Sequence, residues 1–151
     1  MSHIIRLLTC HEYNLWKPLL EEYQKFYQVS LPESVTEQTW LRLVDLAEPM
    51  HALGAFRGNT LVGITHYLFH RSTWAIEDTC YLQDLYVHAT QRGQGIGLAL
   101  VKAVYHAADA GGGGQVYWLT HHSNGPARRL YDQVAKTPGF ILYERLTELT
   151  L

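Results

Sequence analysis

Two stretches of this chain hold the residue types best placed for chemistry. The first is Arg92-Gly93-Gln94-Gly95-Ile96-Gly97, with glycine at three alternate positions. Glycine accepts φ > 0 without steric cost and lets the backbone come close to a ligand. Apolar residues then recur at Ile96, Leu100, Val104 and Ala107, a helical spacing, so the loop opens a helix. The unpaired N–H groups and positive dipole end of such a helix suit an anion, phosphate above all. Arg92 would add a guanidinium fork beside it. The second stretch is Asn124-Gly125-Pro126-Ala127-Arg128-Arg129-Leu130-Tyr131. Asn124 can cap a helix there, with Pro126 in the first turn where a missing N–H costs nothing. Tyr131 then falls two turns on, beside Leu130. A phenol of pKa ~10 can act as a general acid when it is positioned beside a departing anion.

Spacing separates the possible phosphate cradles. A P-loop would end in Gly-Lys-Ser/Thr, but Gly97 is followed by Leu98. The dinucleotide fingerprint G-x-G-x-x-G/A fails from Gly93 and from Gly95, whose sixth residues are Leu98 and Leu100. No acid stands about 20 residues on, where that fingerprint wants one. Arg92 to Gly97 instead matches Q/R-x-x-G-x-G/A, and Asn124 to Tyr131 matches N-x-x-A-x-x-L/F-Y. Together they resemble the GNAT superfamily of acyl-CoA-dependent N-acetyltransferases, over roughly residues 50 to 145. Tyr81-Leu82-Gln83-Asp84-Leu85-Tyr86-Val87 and Val116-Tyr117-Trp118-Leu119-Thr120 are similar in wording to its polyamine, histone and amine acetyltransferase branch.

The resemblance implies acetyl-CoA as cofactor. Its pyrophosphate would rest on the N–H groups of Gln94 to Leu98, along Gly95, Ile96 and Gly97, with Arg92 and Gly93 alongside. Leu85, Tyr86 and Val87 would pair with the pantetheine arm like an added strand, and Asn124 and Ala127 would touch its other side. Tyr131 would protonate the departing sulfur. Polyamine-acetylating relatives carry a glutamate where this chain has Gln83, and glutamine cannot act as a base. An alkylamine near pKa ~10 must nevertheless lose a proton. Asp84 is the first alternative and Glu77 the second, with water alone as a third. Strand alternation sends Asp84 to the face opposite Gln83 unless a bulge intervenes. Glu22, Tyr23 and Tyr27 are further candidates for acceptor contacts, as are His121 and His122.

The elements that must position these residues can be read in outline. Ile4 to Leu8 predicts a short strand. A helix is expected from about Lys17 to Gln28, with Pro18 in its first turn. Ser34 and Glu37 form an S-x-x-E capping box opening a second helix, with Trp40, Leu43 or Val44, and Ala47 inward and Pro49 closing it. Strands over Met50 to Phe56 and Leu61 to Phe69 flank a tight turn at Arg57-Gly58-Asn59-Thr60. Gly63 inside the second suggests a bulge or a close packing contact. A long strand from about Ile76 to Val87 precedes the glycine loop and a helix to about Asp109. A strand at 116–120, a helix from Gly125 to about Val134 and a last strand near Phe140 to Leu146 follow; the last could reach a second subunit. Helices bracket a block of strands, which predicts an α+β, three-layer α/β/α fold with a mixed, mostly antiparallel sheet.

With 151 residues the chain is one domain's worth. Apolar content of 47 % and charged content of 17 % are ordinary for a globular protein. Net charge of −2 gives no basic footprint for nucleic acid. No apolar run of membrane-spanning length occurs and no secretory leader is evident, and two cysteines, Cys10 and Cys80, suit a reducing, cytoplasmic setting. Nine histidines show no metal-binding spacing, so no metal is expected. The expected partner is a small-molecule amine or a protein amine, and relatives of this kind are often homodimers. Two alternatives stay open: an acetyl-CoA-binding module without transfer activity, and an enzyme directed at protein lysines or N-termini.

Overall fold

The computed structural model describes residues 2–147. The chain falls into two compact units, Met1–Leu119 and Thr120–Leu151. The first is built on a five-stranded sheet in the order β1 (Ile4–Leu7), β2 (Met50–Arg57), β3 (Thr60–His70), β4 (Thr79–Val87), β5 (Val116–Tyr117). The first three pairings are antiparallel and β4–β5 is parallel, the mixed sheet expected. β2 and β3 are almost continuously buried, which is why their sequences are near-unbroken apolar runs. The tight turn at Arg57–Thr60 carries Gly58 at φ +61, the left-handed conformation a two-residue hairpin requires.

Helices cover both faces. Helix α1 (Tyr13–Phe26) buries Trp16, Leu19 and Leu20, one stripe at helical spacing. Helix α2 (Glu33–Leu43) adds Thr36, Trp40 and Leu43. Trp16 and Trp40 pack with ring centroids 4.9 Å apart, in a cluster with Leu8, Ala52, Phe56, Ile64 and Tyr86. Truncating a fully buried tryptophan such as Trp16 would cost about 3–5 kcal/mol. On the opposite face α3 (Ile96–Ala110) buries Ile96, Leu100, Val101, Val104 and Ala108. Gly63 lets α3 approach: a Cβ there would lie 3.2 Å from Leu100 and 3.3 Å from Ile96. The close-contact expectation for Gly63 holds, and β3 also gains one residue against β2 beside it, since Ala55 pairs with Gly63 and Phe56 with Leu61.

Several boundaries differ from expectation. α1 starts at Tyr13, because the Glu12 carbonyl accepts the first helical N–H bonds, from Leu15 and Trp16 at 3.1 Å. Pro18 is therefore inside the helix, past its first turn. The Ser34/Glu37 capping box does not form: Pro32 is the cap residue and Ser34 already lies in α2. α2 ends at Leu43, leaving Ala47 outside it. The strand predicted over 116–120 is confined to Val116–Tyr117. In the second unit α4 spans Gly125–Tyr131, with 132–134 a turn. The strand predicted near Phe140 to Leu146 is absent among the described residues. Phe140, Ile141, Leu142 and Tyr143 are exposed there, and an apolar run without a partner edge makes no ladder.

Candidate active site

A register slip in β4 creates the first part of the site. His66 pairs with Asp84 but Tyr67 pairs with Leu82, so Gln83 is an extra residue with no partner. A bulge of this kind bends the strand and re-aims its side chains. Gln83 and Asp84, which plain alternation would part, both line one cavity of about 500 Å³. α1 supplies Leu20, Tyr23, Gln24 and Tyr27 to its wall, and α2 supplies Val35, Thr36, Thr39 and Leu43. The cavity is thus apolar and aromatic with one carboxylate, and neither lysine nor arginine is among its lining residues.

Asp84 is held from two sides. Its Oδ2 lies 2.8 Å from Nδ1 of His66, whose Nε2 lies 2.9 Å from the Trp16 indole Nε1. The Tyr23 hydroxyl has its pKa pushed up by burial first, then by the charge of Asp84 and a hydrogen bond to it. Tyr23 also packs edge-on against Tyr27 and Tyr86, with centroids 5.0 and 5.9 Å away. Of the other acceptor candidates, Glu22 stands outside the cavity lining, 3.6 Å from Nε2 of His88. Glu77 lies before β4 and is exposed, outside the cavity lining. Cys80 is fully buried, and burial pushes its thiol up to about 11, so it is no nucleophile.

The second part lies where β4 and β5 separate. Among the described residues they pair at Cys80↔Val116 and Tyr81↔Tyr117 and no further. Beyond that point Leu85, Tyr86 and Val87 pair with Thr65, Ile64 and Gly63 of β3 on one edge, and no described strand covers the other. An extended amide-bearing chain fits such an edge by strand addition. Immediately downstream, Gly93 and Gly95 adopt φ +78 and +81, and Gly95 is the cap residue of α3. The first bond of that helix runs from Ala99 N–H to the Gly95 carbonyl at 3.0 Å, so the N–H groups of Ile96, Gly97 and Leu98 precede it. A Cβ at Gly93 or Gly95 would meet nothing within 4 Å, so the loop is an open cradle. This geometry suits a pyrophosphate.

Arg92 is anchored to the strand that precedes the loop. Its Nε donates to the Val87 carbonyl at 3.0 Å, and its guanidinium lies 5.4 Å from the Tyr86 ring centroid. The loop gains an unforeseen brace from the β2–β3 turn. Arg57 donates to Gln91 Oε1 at 2.8 Å and also bonds Gln94 Oε1.

In the second unit Asn124 caps α4, its Oδ1 accepting from Ala127 N–H at 3.4 Å. Tyr131 is the last residue of that helix. His121 and His122 stack with centroids 4.6 Å apart, and His121 Nδ1 bonds Ser123 Oγ at 2.6 Å. Among the described residues no cluster of histidine, cysteine or carboxylate could hold a metal, and no helix is long and apolar enough to cross a membrane.

The model of the Acetyltransferase (GNAT) family matches residues 16–135, spanning the bulge, the glycine loop and α4. The chain belongs to the GNAT family. It is 34 % identical over 144 residues, 94 % of its length and 89 % of the relative's, to the D-amino-acid N-acetyltransferase HPA3 of Saccharomyces cerevisiae. Over 63 residues it is 41 % identical to the thialysine N-epsilon-acetyltransferase of Mus musculus, a match covering 42 % of this chain and 36 % of that one. The fold recurs in a ribosomal-protein-alanine N-acetyltransferase from Brucella melitensis, with TM-score 0.81 at 22 % identity over 97 % of this chain and all of that one. It recurs in the aminoglycoside acetyltransferase AAC(6')-Iy bound to a bisubstrate analogue, with TM-score 0.84 at 12 % identity over 97 % and 99 % of the two chains. This GNAT protein is therefore an N-acetyltransferase with the α+β fold predicted.

Two features of the site escaped sequence reasoning. The Trp16–His66 contact joins residues 50 apart, although a histidine inside the apolar run Gly63-Ile64-Thr65-His66-Tyr67 was a usable signal. A buried polar side chain in a strand needs a partner. Arg57 is the other: its sequence context marks a turn, and nothing within it points to Gln91 and Gln94.

Proposed function

We propose that this protein moves the acetyl group of acetyl-CoA to a primary amine held in the cavity beside the β4 bulge. The observation that carries this reading is the bulge itself, which puts a carboxylate into that cavity next to an uncovered strand edge. Acetyl-CoA would supply a thioester carbonyl for the amine to attack and a thiolate leaving group. Gly93 to Leu98 would hold its pyrophosphate on backbone N–H groups, and Leu85 to Val87 would bind its pantetheine amides. Asp84 would take the proton that the ammonium must lose. Tyr131 would give a proton to the sulfur. Proton transfers of this kind contribute roughly 10²–10⁴-fold each.

The wall of the cavity favours an amine on an apolar body. A carboxylate-bearing acceptor would find neither lysine nor arginine among the described lining residues, and burying an unpaired charge is costly. The second reading, an amino-acid acceptor, is favoured by the yeast relative's activity on D-amino acids. An acceptor panel pairing each amino acid with its decarboxylated amine separates the two. We further propose a single working domain over the whole chain, since the family match crosses Leu119. A reducing, cytoplasmic setting and a homodimer complete the reading, the first supported by free Cys10 and Cys80 and the second by the resemblance alone.

Thermal unfolding with acetyl-CoA, and with NADH and ATP in parallel, tests the cofactor assignment. A ligand at about 100 times its Kd adds ~2.7 kcal/mol, several degrees for a chain of this size. A shift with acetyl-CoA alone is expected. No shift at millimolar acetyl-CoA, or a shift with NADH, would overturn the reading.

A further inference from the structure

We propose that His66 is a positioning residue for Asp84, locked by Trp16 as the neutral imidazole protonated on Nδ1. The proposal rests on the reading of Asp84 as the proton acceptor. The indole N–H can only donate, so His66 Nε2, 2.9 Å from Trp16 Nε1, must accept and carry no proton. A neutral ring then bears its hydrogen on Nδ1, which donates to Asp84 Oδ2 at 2.8 Å. An imidazolium would set two N–H groups against each other. Trp16 is 0 % and His66 4 % exposed, so water cannot relieve that conflict.

The consequence concerns how Asp84 is held. An imidazolium partner would fix the carboxylate by charge and weaken it as a base. A neutral N–H fixes its orientation with a hydrogen bond and no compensating charge. The other titratable groups around Asp84 are Tyr23 and Tyr27 of α1 and Tyr81 of β4; α2 presents Val35, Thr36, Thr39 and Leu43, none of which titrates. Among the described residues lining its cavity, Asp84 thus has phenols and one locked imidazole beside it and neither lysine nor arginine. Gln83 cannot take a proton, which leaves Asp84 as the carboxylate of this cavity.

Two substitutions at one position separate donation from space-filling. Asparagine places an amide N–H near the Nδ1 position, and glutamine places an acceptor near Nε2. His66→Gln should keep the contact to Trp16 but lose the donor to Asp84. Its kcat should fall about tenfold, the loss of one hydrogen bond to a charged group. The acid limb of its kcat profile should move to higher pH, because a carboxylate without its donor protonates more easily. His66→Asn should leave that limb where the wild-type protein has it. Wild-type limbs in both variants, or equal losses of activity with no movement of the limb, would overturn the proposal. Asp84→Asn is measured alongside. If it is fully active the base assignment itself falls, whereas its inactivity together with unmoved His66 profiles sinks the positioning role alone. Should the variants not fold, ¹⁵N shifts of the wild-type imidazole decide the matter. The Nδ1–H tautomer is expected in the folded protein, and an Nε2–H tautomer or a protonated ring at neutral pH would overturn the proposal.

Discussion

The glycine loop and the bulge cavity are neighbours along β4, yet they are made in opposite ways. The loop is a local object. Gly93 and Gly95 sit at positive φ, the helix begins one residue later, and the groups offered are backbone N–H donors. The cavity is assembled from afar: α1 gives Tyr23, β3 gives His66 with Trp16 of α1 behind it, and β4 gives Asp84. Its chemistry resides in side chains whose aim depends on one extra residue in a ladder. The loop should therefore fail through affinity and the cavity through turnover.

The largest effect expected is on the cavity side. Asp84→Asn should lower kcat by about 10²–10⁴-fold while the Kd for acetyl-CoA stays near the wild-type value. Unchanged kcat would dissolve the contrast. In the second unit, outside this comparison, Tyr131→Phe should lower kcat at least about tenfold with cofactor affinity nearly intact; equal turnover would remove Tyr131 from the chemistry.

Gly95→Val tests the other side. A β-branched residue at φ +81 is strained whatever the space around it. The strain, roughly 1–2 kcal/mol, should weaken acetyl-CoA binding by about tenfold, read by calorimetry. Unchanged affinity would show that the loop does not hold the cofactor. A parallel fall in kcat with saturating acetyl-CoA would show that the two regions are coupled.

The smallest effect lies at the start of α1, the helix that carries the cavity wall. Arg6 grips Glu12 with two bonds of 2.9 and 2.6 Å, and Thr9 N–H donates to the same carboxylate at 2.7 Å. Arg6 first, and Thr9 with it, hold the Glu12 carboxyl down at about 2, below its ordinary 4.5. A lowered pKa in the folded state gives stability that is present above about pH 4.5 and lost as pH falls toward 2. Arg6 is solvent-exposed, so the effect should be at most about 1 kcal/mol. Arg6→Ala should remove that part of the acid dependence of Tm, and an unaltered acid slope would refute it.

What was legible follows the same division. The loop, the α3 stripe of Ile96, Leu100 and Val104, and the Asn124 cap all depend on residues within a few positions of one another, and all three formed. The boundaries that failed turned on competing local options. Ser34 and Glu37 carry a valid capping pattern, but Pro32 two residues earlier starts the helix instead. Ile141-Leu142-Tyr143 has strand composition, but strand formation needs a partner edge that composition does not specify.

By itself the sequence determined the family, the phosphate-type loop and the order of strands and helices, because glycine geometry, capping and hydrophobic period act over short distances. Only the tertiary structure decided that Gln83 would be bulged and Asp84 brought to the cavity. A slip of one residue reverses every side chain beyond it, and register is settled by packing across strands. The lock of Trp16 on His66 belongs to the same class, since its two partners meet only after α1 has docked on β3.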